Sequence, residues 1–151
     1  MFRNVLIARP HPFIVGDMKP FLESAGYTTV KLPSLSNLRS QTATACGSVV
    51  SMAVASSIAA SAEDVVAELR QVAPRLPVAL AGLLELDQIR SLVERMGARL
   101  GSTLVVVGAS AGDVNDAVLG TPNAFVYVSR SDLITPDRRA QATRVLQRHF
   151  H

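Results

Sequence analysis

Six short apolar runs recur along this chain, and between successive runs the apolar residues change to helical spacing. The runs are Val5–Ala8, Tyr27–Leu32, Ser48–Val54, Pro77–Ala81, Thr103–Val107 and Ala124–Val128. Strand and helix alternating in this way predict a parallel sheet with helices on both faces. A continuous apolar run such as Thr103–Val107 suits a strand covered on both faces, since a half-exposed strand would alternate with polar residues. The links are too short for a second domain, and no repeat is visible, so residues 1–151 are read as a single domain.

Each helical segment carries its own start and stop signals. Phe13, Ile14, Met18, Phe21, Leu22 and Ala25 share one face, and Gly26 closes the segment as a residue suited to the left-handed conformation. Pro20 is tolerated only in a first turn, so the reading places Asp17 as N-cap and residues 12–16 in a separate turn. Ser61 to Asp64 has the form of a capping box before a helix that buries Val65, Val66, Leu69, Val72 and Ala73. Leu86, Ile89, Leu92, Val93 and Met96 mark a further helix, closed by Gly97 or Gly101. Ser110 to Asp113 repeats the capping form before a short helix through Leu119. Thr135-Pro136-Asp137 opens a last helix with Ala142, Val145, Leu146 and His149 on one stripe. Pro33–Cys46 is polar and poorly patterned, apart from a short helix near Leu38, and reads as a loop.

Composition narrows the function classes. A chain with 48% hydrophobic and 18% charged residues is globular rather than disordered. Its one cysteine, Cys46, forms no internal disulfide, no signal-peptide pattern opens the chain, and no run is long enough to span a bilayer. The expected setting is therefore the cytoplasm, with no membrane partner. The formal charge of +3 comes from the last segment, where Arg130, Arg138, Arg139, Arg144 and Arg148 outnumber Asp132 and Asp137. Arginines late in a helix complement its dipole, so a solvated face is favoured over a nucleic-acid surface.

In a parallel sheet, ligands gather beyond the C-terminal ends of the strands. Here the first strand ends in Arg9-Pro10-His11-Pro12. Arg9, His11, Ser110 in the Gly108–Gly112 turn, and Arg130 would converge on that edge and form an anion or nucleotide site. A lone histidine is more often a turn or packing residue, and Gly-Ala-Ser-Ala-Gly is also what a tight turn needs. The fingerprint G-x-G-x-x-G is missing, and no serine lies in a G-x-S-x-G elbow, so hydrolase chemistry is not expected. Neither metal nor cofactor is expected.

Two stretches resemble response-regulator receiver domains: VLIARPHPFIVGDMKPFLESAGYTTV at the start and TLVVVGASAGDVNDAVLGTPNAFVYVSRSDLITPDRRAQATRVL at the end. The resemblance implies a three-layer α/β/α sandwich around a flavodoxin-like parallel sheet of five to six strands, order 2-1-3-4-5 extended by one strand. Thr103–Val107 looks like the receiver's fourth strand, with its hydroxyl position near Gly108–Ser110. The middle of the chain is longer than a receiver requires, and either Ser48–Val54 or Pro77–Ala81 takes the central place. Carried over residue by residue, the receiver's acidic pair falls on Arg9 and Pro10. Its phosphoryl-accepting aspartate falls on Ala53 or on Gly82, and its lysine on Arg130. Phosphoryl transfer to a carboxylate needs that carboxylate and a cation to neutralise charge. The resemblance therefore implies a degenerate receiver: not an enzyme, independent of phosphorylation, and acting through a protein partner or as a homodimer. Its expected contact face is the last strand and helix, with Tyr127, Ala142, Val145 and Leu146.

Overall fold

A computed structural model of the chain describes residues 3–8, 14–32, 42–51, 62–100, 105–109, 117–121 and 124–150. Six strands, β1 (Asn4–Ala8), β2 (Thr28–Leu32), β3 (Ala45–Ser51), β4 (Val78–Gly82), β5 (Val105–Gly108) and β6 (Ala124–Ser129), form one sheet. Every neighbouring pair is parallel, and the order is β2-β1-β3-β4-β6-β5. The helices are α1 (Lys19–Ser24), α2 (Ala62–Val72), α3 (Leu86–Leu100), α4 (Arg130–Ile134) and α5 (Pro136–His149), with a π-helical turn over Ile14–Met18 before α1.

Period-two alternation divides the core into two layers. Val5, Ile7, Val49, Ala79, Ala81, Val126 and Val128 pack with Phe21 and Leu22 of α1 and Ala142, Val145 and Leu146 of α5. Leu6, Val50, Val78, Leu80, Phe125 and Tyr127 face the other way, against Val65, Val66 and Leu69 of α2 and Ile89 and Val93 of α3. On β4 the small side chains, Ala79 and Ala81, meet the first helix pair and the large ones, Val78 and Leu80, meet the second.

The predicted elements are largely in place, and the departures have physical causes. The β3 strand starts at Ala45 rather than Ser48, and residues 52–54 of the expected run lie outside the described residues. Its register against β1 shifts between Asn4 and Val5, which pair with Ala45 and Gly47, leaving Cys46 as an extra residue. Asp17 is not an N-cap, because the π turn runs straight into α1 and Met18 already has helical dihedrals. Pro20 does lie in the first turn, and Gly26 does take a positive φ, 99°. Gly97 does not close α3 but lies buried within it. A single interior glycine costs about 1 kcal/mol, which the good helix formers on either side absorb. Ser129 opens α4, a short helix that the sequence reading overlooked. The expected short helices near Leu38 and after Ser110 fall mainly outside the described residues.

Lateral order shows the largest departure. Ala45–Ser51 lies beside β1 and takes the third place, Val78–Gly82 takes the fourth, and Ala124–Ser129 takes the fifth. Thr103–Val107, expected as the fourth strand, instead contributes β5 at the outer edge beyond β6. Strand composition records what covers a strand's faces, not which strand lies beside it, so the run's apolar character did not reveal its position.

Candidate functional site

Of the residues expected at the C-terminal edge of the sheet, Arg9, Pro10, His11, Ala53 and Ser110 lie outside the described residues, as does the rest of the turn to Gly112. Gly82, Gly108, Tyr127 and Arg130 are described. Gly82 is the last residue of β4, buried and paired with Ser129. Gly108 ends β5 opposite Tyr127, and the next amide, Ala109, donates to the Tyr127 carbonyl at 2.9 Å.

Arg130 is the first residue of α4 and leans towards the turn after β1, with its Nε 3.5 Å from the Asp17 carboxylate. Both side chains are substantially exposed, at 60% and 36%, so solvent screens the pair and its net stabilisation is small. The guanidinium nevertheless already faces a carboxylate across the sheet edge. An anion arriving there would compete with Asp17.

On the same short helix, a second network is centred on the buried Asp132. The Ser129 amide donates to Asp132 Oδ2 at 2.8 Å, and the Asp132 amide donates to Ser129 Oγ at 3.3 Å, a reciprocal cap on α4. Asp132 is 3% exposed. Its other oxygen, Oδ1, accepts from Arg138 Nε at 3.0 Å and Nη2 at 2.7 Å. The same Nη2 reaches Glu85 Oε2 at 3.1 Å, so one arginine ties the start of α5 to α4 and to the turn after β4. Hydrogen bonding to Asp132 is the main cause that raises the Arg138 pKa, with Glu85 adding to it. The sequence held a signal for this network: Ser129-Arg130-Ser131-Asp132 has the capping form recognised elsewhere in the chain.

Tyr127 lies on the α2/α3 side of the sheet, 1% exposed, and its hydroxyl donates to the Leu84 carbonyl. Burial, and secondarily the charges of Glu85 and Asp132, push its phenol well above the usual tyrosine range. The expected contact face therefore requires correction. Tyr127 is 1% exposed and Ala142, Val145 and Leu146 are fully buried, all inside the monomer. The stripe on α5 faces the sheet because it is that helix's only apolar face, and burying it removes it from any partner. What reaches solvent nearby is Leu83 at 48% and Leu84 at 50%, on the turn after β4, and Ile134 at 69%, ending α4.

The basic C-terminal segment is likewise committed internally. Beyond Arg130 and Arg138, Arg139 lies over the Phe21 ring and donates to the Leu133 carbonyl, Arg144 donates to Gln141, and Arg148 also has a partner within the chain. His149, on the same stripe as Ala142, Val145 and Leu146, is fully buried. Among the described residues, no three His, Cys, Asp or Glu side chains cluster in a way that would hold a metal ion. No helix among them is long and apolar enough to cross a membrane.

Among solved structures, the chain is similar to a response regulator receiver domain protein from Clostridium thermocellum, with a TM-score of 0.56 over 97% of this chain and 96% of that one, at 14% sequence identity. This is a receiver-domain fold. A response regulator protein from Burkholderia multivorans also matches, with a TM-score of 0.43 over 84% of this chain and 83% of that one, at 14% identity. No family model matches the chain. No curated protein matches it either. Relative to the receiver order 2-1-3-4-5, β6 occupies the fifth place and β5 is an added outer strand.

Proposed function

We propose that this receiver-like domain is a signalling module that works without phosphorylation, by protein–protein contact through the turns beside Tyr127. The observation that carries this reading is the double lock on the turn after β4: the Tyr127 hydroxyl holds the Leu84 carbonyl, and Arg138 holds Glu85 against Asp132. These contacts present Leu83, Leu84 and Ile134 to solvent on segments that are tied together rather than free to rearrange. Exposed apolar side chains on a fixed frame suit recognition of a partner, because little ordering entropy is lost on binding.

In this reading Arg9, Pro10 and Ala53 stand where an active receiver would carry carboxylates, and Gly82 stands where its fourth strand would end in a hydroxyl. Arg130 replaces the lysine and has Asp17 as its counter-charge. The domain is then a binding module rather than an enzyme, with no cofactor, and its setting is the cytoplasm. Incubation with acetyl phosphate or phosphoramidate, followed by intact mass measurement, tests this directly. Unchanged mass is expected, and stoichiometric aspartyl phosphate would overturn the reading. Of the anion-site alternative, Gly108, Ala109 and Arg130 are among the described residues, and Arg130 already faces Asp17. Saturable thermal stabilisation by a nucleotide, abolished by Arg130→Ala, would put that alternative first.

A further inference from the structure

The outermost strand β5 has the composition of an inner one. Its residues are Val105-Val106-Val107-Gly108, preceded by Thr103-Leu104, with no charge and no proline. Among the described residues it is paired on one side only, to β6. The opposite edge is built differently: β2 is Thr-Thr-Val-Lys-Leu, with an exposed threonine at its start and a lysine next to its end. Charge and interruption are what keep an edge strand from recruiting another strand, because its outward amides and carbonyls otherwise remain free to pair. Among the described residues, one edge of this sheet carries such protection and the other does not.

The geometry points to β5 as the site where a second copy of this chain adds to the sheet. Closed two-fold symmetry makes the two β5 strands antiparallel, each the other's neighbour, and extends the six strands of each copy into one continuous sheet. A two-fold contact must tolerate every residue meeting its own counterpart or a near neighbour. An uncharged valine run meets that condition, since no like charges oppose each other, whereas Lys31 on β2 would be brought near Lys31. Val107, half-buried on the α1/α5 side in register with Val126, would gain a valine across the dyad. The contact is separate from Leu83, Leu84 and Ile134 and does not depend on the function proposed above.

Sedimentation velocity of the full chain from low to high micromolar concentration provides the test, with Val107→Lys as the probe and Thr29→Lys on β2 as the control. A concentration-dependent dimer is expected for the wild type and for Thr29→Lys. Dimerisation should weaken at least about tenfold for Val107→Lys, which sets two like charges across the dyad. Circular dichroism shows whether Val107→Lys has kept its fold. If it has not, amide hydrogen exchange on the wild type decides: protection of residues 105–108 that rises with concentration supports the pairing. A wild type that stays monomeric throughout, or a dimer whose concentration-dependent protection lies elsewhere, overturns it. Leu84→Ser should leave the dimer unchanged, so failure of the proposed partner surface is distinguishable from failure of this interface.

Discussion

Gly47 leaves the space that Phe150 fills: a methyl group at Gly47 would clash with the Cδ1–Cε1 edge of the Phe150 ring. Phe150, 1% exposed, follows the last turn of α5 and lies over β3 where the extra residue Cys46 shifts the register. Its carbonyl accepts from the Tyr27 hydroxyl at 3.0 Å, and the two rings meet edge to face at 6.0 Å. The end of the last helix is thereby seated on strands from the first half of the chain. Gly47→Ala should destabilise the fold by about 2–3 kcal/mol, as overpacking does in a dense interior, measured by urea denaturation. Combining it with Phe150→Leu should recover part of the loss, because the smaller side chain vacates the notch.

His149 makes a second fastening beside this one. Its Nδ1 accepts from the Gly120 amide at 2.9 Å, so Nδ1 bears no hydrogen and Nε2 must donate to the Val78 carbonyl at 3.0 Å. Nitrogen NMR of the folded protein should show the neutral ring with its proton on Nε2. His149→Leu fills much of the space but leaves that amide and carbonyl without their ring partners, and should cost about 2–3 kcal/mol.

Arg138 satisfies a carboxylate that water barely reaches. Removing it by Arg138→Ala should cost about 1–2 kcal/mol, kept modest because the arginine is itself 38% exposed and its contact with Glu85 is at the surface. Asp132→Ala should cost more, since it also removes the reciprocal cap with Ser129. A double-mutant cycle should therefore show the two changes to be non-additive.

Tyr127 gives the fold a sensitivity to alkali. A tyrosine in the unfolded chain ionises near about pH 10, whereas burial holds the folded Tyr127 higher. Between those two values the unfolded state holds fewer protons, so stability falls as pH rises from about 10 upward; below about 10 both states keep the proton and this group contributes no slope. Tyr27, raised chiefly by burial, adds in the same direction. Denaturation midpoints measured at about pH 8, 10 and 11 should decline less steeply for Tyr127→Phe than for the wild type, although that variant starts about 1 kcal/mol less stable through loss of the Leu84 bond.

The architecture was legible in the sequence because periodicity is a local property. Apolar runs and helical stripes, with Pro20 and Gly26 marking a start and a stop, determined that strands and helices alternate and which side chains face inward. They determined equally that Val145, Leu146 and Ala142 form an apolar face, but an apolar stripe looks the same whether its own sheet or a partner covers it. Only the tertiary structure decided that the sheet takes it. Long-range choices were hidden for the same reason. The placing of β5 outside β6, the Phe150 ring against Gly47, and Asp17 reaching Arg130 each join residues whose local patterns contain no reference to one another. Asp132 lies between the two cases: its cap with Ser129 is written in four consecutive residues, while its burial beneath Arg138 arises only when α5 folds back across the sheet.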